Sequence, residues 1–121
     1  MSDSIASELL QKWVSTVKGG DPKQVTGLYR RNGILLGTFS NKERVGHDLI
    51  LEYFENLLKF PVEVEIVSEH PHVLELTAVN SGHYNFVTNG KTINARFSFV
   101  YHKDDEWKII SHHSSVIPES G

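Results

Sequence analysis

Two hydrophobic periods divide this chain near Pro61. Before that proline, apolar residues recur every three or four positions, the spacing of helices. After it they alternate at the two-residue spacing of strands, among many β-branched and aromatic side chains. Separated blocks of this kind predict an α+β fold with helices covering one face of a bent, largely antiparallel sheet. At 121 residues, one core fits and a second does not, so residues 1–121 are expected to form a single domain.

In the first block Ile5, Leu9, Trp13 and Val17 line one helical face, joined by Leu10 and Val14. Ser2 or Asp3 is the expected N-cap, and Gly19-Gly20 the stop. Asp21-Pro22 opens a short second helix, with Val25, Leu28 and Tyr29 inward. Asn32-Gly33 signals a turn before a short buried strand, Ile34-Leu35-Leu36, and Gly37 to Gly46 forms a polar loop. A third helix runs from His47 to about Lys59, with Leu49, Ile50, Tyr53, Phe54, Leu57 and Leu58 on its apolar side. The second block reads as five strands: Val62 to Ser68, Val73 to Asn80, Gly82 to Thr88, Thr92 to Tyr101 and Trp107 to Val116. Asn89-Gly90 suits a type I′ hairpin, Asp104-Asp105 another tight reversal, and His70-Pro71-His72 a turn.

Twelve basic and fifteen acidic residues leave a net charge of −3. The basic runs, Arg30-Arg31 and Lys42 to Arg44, are too short to track phosphates, so neither nucleic acid nor an anionic membrane is an expected partner. Cysteine is absent, which removes disulfides, thiol nucleophiles and thiolate metal sites. No signal peptide or apolar span is visible, and a cytoplasmic domain is expected. Nucleotide-binding glycine loops and the G-x-S-x-G elbow are missing as well.

The polar residues that could carry chemistry must point into the conical space between helices and sheet. The ending His112-His113-Ser114-Ser115 is the most unusual feature. Alternation puts His112 and Ser114 on one face and His113 and Ser115 on the other, so the adjacent histidines cannot both ligate one ion. By itself the motif also reads as a polar strand end at a rim or a dimer interface. Thr38, just past a strand, either faces the cone or caps its own loop. Tyr53 is either a core residue with a satisfied hydroxyl or a phenol aimed into a cavity. Arg96 and Ser98 share a strand face, where arginine is an anion anchor if inward and a solvated charge if outward. His70 and His72 have no third ligand in sight and read as surface.

Trp13, the run V-T-G-L-Y-R-R-N-G over 25–33, L-L-G-T, E-Y-F and the ending W-K-I-I-S-H-H-S-S-V-I-P together carry a resemblance. From end to end the chain resembles the NTF2-like cone fold, and within it the association domain of calcium/calmodulin-dependent kinase II. The H-H-S-S ending, with L-G-T and Tyr53-Phe54, is similar to the iota-class carbonic anhydrases. That likeness implies reversible hydration of CO₂ to bicarbonate. It also implies that Thr38, Tyr53 and Ser114 hydrogen-bond the reacting water and bicarbonate. His112 or His113 is the expected proton acceptor, with Ser115, Arg96 and Ser98, and His113 where it is not the acceptor, as accessory binding residues. Where the kinase domain carries arginines in its pocket, this chain has Ser98 and Ser114, and both are expected inward with His112. The resemblance leaves the cofactor open. Because the residues offer no three converging ligands, a site without metal or other cofactor is expected, in a homodimer formed through the sheet. The alternatives are a non-catalytic association module, a small-molecule-binding protein of the same fold, and a steroid-isomerase-like enzyme. The last needs a carboxylate base in the cone, whereas the spacing of Asp48 and Glu52 from Tyr53 places them on an outer face.

Overall fold

The computed structural model describes residues 4–121. The expected cap at Ser2 or Asp3 lies outside the described residues. Helix α1 (Ser4–Gly19) buries Ala6, Leu10, Trp13 and Val17, so its inward stripe runs one position round from the Ile5–Leu9 row. Gly20 ends it at a φ of +81°, the left-handed conformation that costs glycine little. Asp21 caps α2 (Pro22–Thr26), its carboxylate accepting from the Lys23 N–H at 2.9 Å.

Tyr29 belongs to strand β1 (Tyr29–Leu36) rather than to α2, and Asn32-Gly33 lies inside that strand at an irregularity. Only Leu35 of the expected Ile34–Leu36 triplet is fully buried; Ile34 and Leu36 are 39% and 38% exposed on the opposite face. The polar loop contains a two-residue strand, β2 (Arg44–Val45), before α3 (His47–Leu57). Ile50, Tyr53 and Phe54 are buried beneath α3, whereas Leu49 is partly exposed.

The meander has four strands, not five: β3 (Glu63–Leu74), β4 (Thr77–Thr88), β5 (Lys91–Lys103) and β6 (Trp107–Val116). His70-Pro71-His72 is a stretch of β3 and not a turn. Proline is tolerated there because β3 forms the sheet edge, where one side of the backbone needs no ladder partner. The reversal falls at Glu75-Leu76, with Glu75 at a φ of +54°. Asn80-Ser81-Gly82 likewise sits inside a strand. A Cβ on Gly82 would lie 2.1 Å from the Ser68 carbonyl oxygen, beside the register shift in β3. Glycine there permits close backbone approach rather than marking a turn. Asn89 and Gly90, with φ of +52° and +73°, make the expected hairpin.

The six strands are ordered β2-β1-β6-β5-β4-β3. The β1–β6 pair is parallel and every other pair antiparallel, so β6, last in the chain, is inserted between β1 and β5. The helices cover one face of this sheet, and Trp13, Tyr84, Phe97, Phe99 and Ile109 fill the space between. This is the expected α+β arrangement. Among the described residues no helix is long and apolar enough to cross a membrane.

Candidate functional site

Strand register decides which polar groups enter the cone. Pairing of β5 with β6 sets Phe97 opposite Ser114 and Phe99 opposite His112, on the buried face. His112 stacks on Phe99 with centroids 3.8 Å apart. Buried hydrogen bonds then run through the cone. The Trp13 indole N–H donates to the Tyr29 hydroxyl at 3.1 Å, and Tyr29 contacts His112 Nδ1 at 2.7 Å. His112 Nε2 meets the Tyr84 hydroxyl at 3.2 Å, which donates to Ser114 Oγ at 2.5 Å; Ser114 in turn contacts Thr38 Oγ1 at 2.6 Å.

The direction of this chain follows from proton counting. Indole donates only, so Tyr29, having accepted from Trp13, spends its proton on Nδ1. Neutral imidazole then carries its proton on Nε2 and donates to Tyr84. Six groups with one proton each are joined by five hydrogen bonds, leaving one hydroxyl proton in the Thr38–Ser114 pair. That pair borders an open cleft of about 290 Å³, which Gly37, Ser40, Lys42 and Glu43 also line.

Burial keeps the chain uncharged. It depresses the His112 pKa to about 3, with a smaller push from neighbouring His113, and raises the phenols of Tyr29 and Tyr84 far above their ordinary range. His112 is therefore a weak base with both ring nitrogens engaged. This corrects its expected role as proton acceptor: it positions Tyr84 instead.

Tyr53 approaches from α3. Its hydroxyl accepts from the Phe39 N–H at 3.3 Å, one residue past Thr38, and burial pushes its pKa up to about 12. The phenol therefore stays protonated, with its own proton available to donate. Its ring lies against Gly37, where a Cβ would sit 2.4 Å from two ring carbons. Gly37→Ala is expected to cost about 1–3 kcal/mol by overpacking. In a Tyr53→Ala background the same change should cost little, as urea unfolding of the four proteins in this cycle can check.

Of the expected accessory residues, His113 and Ser115 line the Thr38–Ser114 cleft from its outer side, whereas Arg96 and Ser98 do not reach it. Ser98 pairs with His113 and Arg96 with Ser115, on the sheet face turned away from the helices. Arg96, Ser98 and His113 are exposed there, in a polar groove shared with His70 and His83. Ser98 therefore does not face inward with Ser114 as expected: the residue on the cone side of that strand is Phe97. Asp48 is exposed, and Glu52 is exposed and paired with Arg44, so neither carboxylate enters the cone. Among the described residues no three His, Asp or Glu side chains stand close enough together to hold a metal ion.

Sequence reading overlooked Trp13, Tyr29 and Tyr84 as polar participants. Each sits at a core position, and only the side-chain hydrogen bonds that join 29 to 112 and 84 to 114 expose its second role.

The comparisons agree on the fold. A crystal structure from Xanthomonas campestris, described as a candidate calcium/calmodulin dependent protein kinase II association domain, is 38% identical, with a TM-score of 0.88 over 93% of this chain and 86% of that one. An NTF2-like protein of unknown function from Pseudomonas putida KT2440 superposes with a TM-score of 0.86 at 14% identity, over 98% and 88% of the two chains. A candidate ketosteroid isomerase from Parabacteroides distasonis gives 0.77 at 18% identity, over 98% and 90%. At those last two identities the likeness is one of fold alone. No curated protein matches the chain. Residues 4–118, nearly the whole length, match one family: the chain belongs to the calcium/calmodulin dependent protein kinase II association domain family.

Proposed function

We propose that this protein hydrates CO₂ reversibly to bicarbonate at the Thr38–Ser114 pair, with Tyr53 beside it and no metal taking part. The observation that carries the reading is the unspent hydroxyl proton of that pair, held at the rim of an aromatic cone by a buried chain of donors. The likeness of the H-H-S-S ending to the iota-class enzymes supports the same reading.

Two hydrogen-bonded hydroxyls need no separate base. As water attacks the carbon of CO₂, its proton passes to one hydroxyl oxygen. That hydroxyl passes its own proton to its partner, and the partner donates to a CO₂ oxygen. The product is carbonic acid, which loses its proton to solvent at the open cleft and leaves as bicarbonate. Each hydroxyl ends as it began, and atoms and charge balance. Tyr53 donates to the oxygen on which negative charge develops, a contribution of about 2.7–4 kcal/mol for a well-placed donor. Phe97, paired with Ser114 across the two strands, gives an uncharged gas an apolar neighbour at small desolvation cost.

The test is stopped-flow CO₂ hydration by chelator-treated protein with metal content measured alongside. Activity in metal-free protein is expected. Activity that vanishes with a metal and returns on its addition overturns the metal-free part, and none at high protein concentration overturns the whole.

A second reading is a non-catalytic association module, and the family match favours it. The groove-bearing outer sheet face, free of helices, would then pair with a second copy. Self-association without any CO₂ hydration is its signature.

A further inference from the structure

A cavity of about 400 Å³ lies between α3, the loop after β1 and the β4–β5 hairpin, apart from the Thr38–Ser114 cleft. Phe39, Tyr53, Leu57, Phe60 and Ile93 form its apolar wall. Phe39 and Phe60 are 40% and 55% exposed, so two large aromatic faces meet water around one opening. The volume falls within the range of small-molecule sites and far exceeds what CO₂ requires.

The polar lining is one-signed, with Arg44 and Lys91 present and no Asp or Glu. The two cations differ. Arg44 is buried, and its guanidinium is taken up by Ser40, the Leu49 carbonyl and Glu52. Lys91, exposed at the start of β5, has no ion pair among the described residues. An apolar chamber with a single uncommitted ammonium at its rim selects a ligand with an apolar body and one anionic group.

We propose that this cavity binds a small aromatic monocarboxylate, its ring against Phe39, Tyr53 and Phe60 and its carboxylate at Lys91. The cavity shares the Tyr53 ring with the proposed CO₂ site, so its test reads binding and not turnover.

The probes are 2-naphthoate and its uncharged analogue 2-naphthalenemethanol, titrated by calorimetry, with amide shifts in ¹⁵N-labelled protein locating the site. Naphthoate is expected to bind more tightly than the alcohol by about fivefold, the upper range for an exposed ion pair. Shifts should centre on Asn56, Lys91 and Ile93. Lys91→Gln should equalise the two ligands, and Phe60→Ser should weaken both. Phe60 and Lys91 are exposed, so both variants are expected to fold, and matching amide spectra without ligand check it. The proposal is overturned if neither probe binds at millimolar concentration. It is equally overturned if the shifts fall on another face, or if the preference for the anion survives Lys91→Gln.

Discussion

Ser114→Ala is expected to lower kcat/KM for CO₂ hydration by about 100-fold, the usual consequence of removing one preorganised hydroxyl donor. The substitution breaks the chain at its open end. Thr38 loses its partner, and the Tyr84 phenol, fully buried, loses the acceptor for its proton. The second effect should also cost about 1–3 kcal/mol of stability, the penalty of stranding a buried donor. Tyr84→Phe separates the two consequences. It leaves Ser114 and Thr38 in contact but removes what orients them, so a loss of about tenfold is expected, within the range for positioning effects. Tyr53→Phe should resemble Ser114→Ala in turnover while leaving the buried chain intact. Full activity in both Ser114→Ala and Tyr53→Phe would move the chemistry to another part of the molecule.

Acid should destabilise this protein through the buried His112. In the folded chain its pKa is about 3, whereas an unfolded histidine titrates near the ordinary 6.5. Between those values the unfolded chain binds a proton that the folded one does not. Stability is therefore complete above about pH 6.5 and falls as the pH drops, by about 1.4 kcal/mol per unit. From pH 7.5 to pH 5 the loss from this one residue comes to about 2 kcal/mol. His112→Gln keeps a donor and an acceptor in the cavity without a titrating group. Urea unfolding at the two pH values should show the variant losing about 2 kcal/mol less than the parent over the same interval. Equal losses in the two proteins would mean that His112 is not held uncharged.

What the sequence makes legible depends on how local the cause is. The α1 helix, the Asp21-Pro22 start and the Asn89-Gly90 hairpin are set within a few residues and can be read directly, although the buried stripe of α1 lies one position round from the expected row. Pro71 and Gly82 mislead because each resembles a turn residue. In the fold one belongs to an edge strand, and the other lets two backbones approach closely. The division of the H-H-S-S ending between two faces follows from alternation alone, but which face is inward does not. Pairing of Phe97 with Ser114 settles it, and removes Ser98, Arg96, His113 and Ser115 from the cone. Tyr84 and Tyr29 were hardest to see, since a tyrosine among apolar residues signals core whether or not its hydroxyl has work to do.

The insertion of β6 between β1 and β5 has a consequence for how the molecule is made. Thr38 and Ser114 are 76 residues apart, and they meet only when the final strand slots into a gap between two halves that otherwise share no sheet hydrogen bond. Until then β1 and β5 each present a bare edge to any passing extended segment. The step that brings the hydroxyl pair together is thus the one that covers the β1 and β5 edges, so the pair and the continuous six-stranded sheet form together.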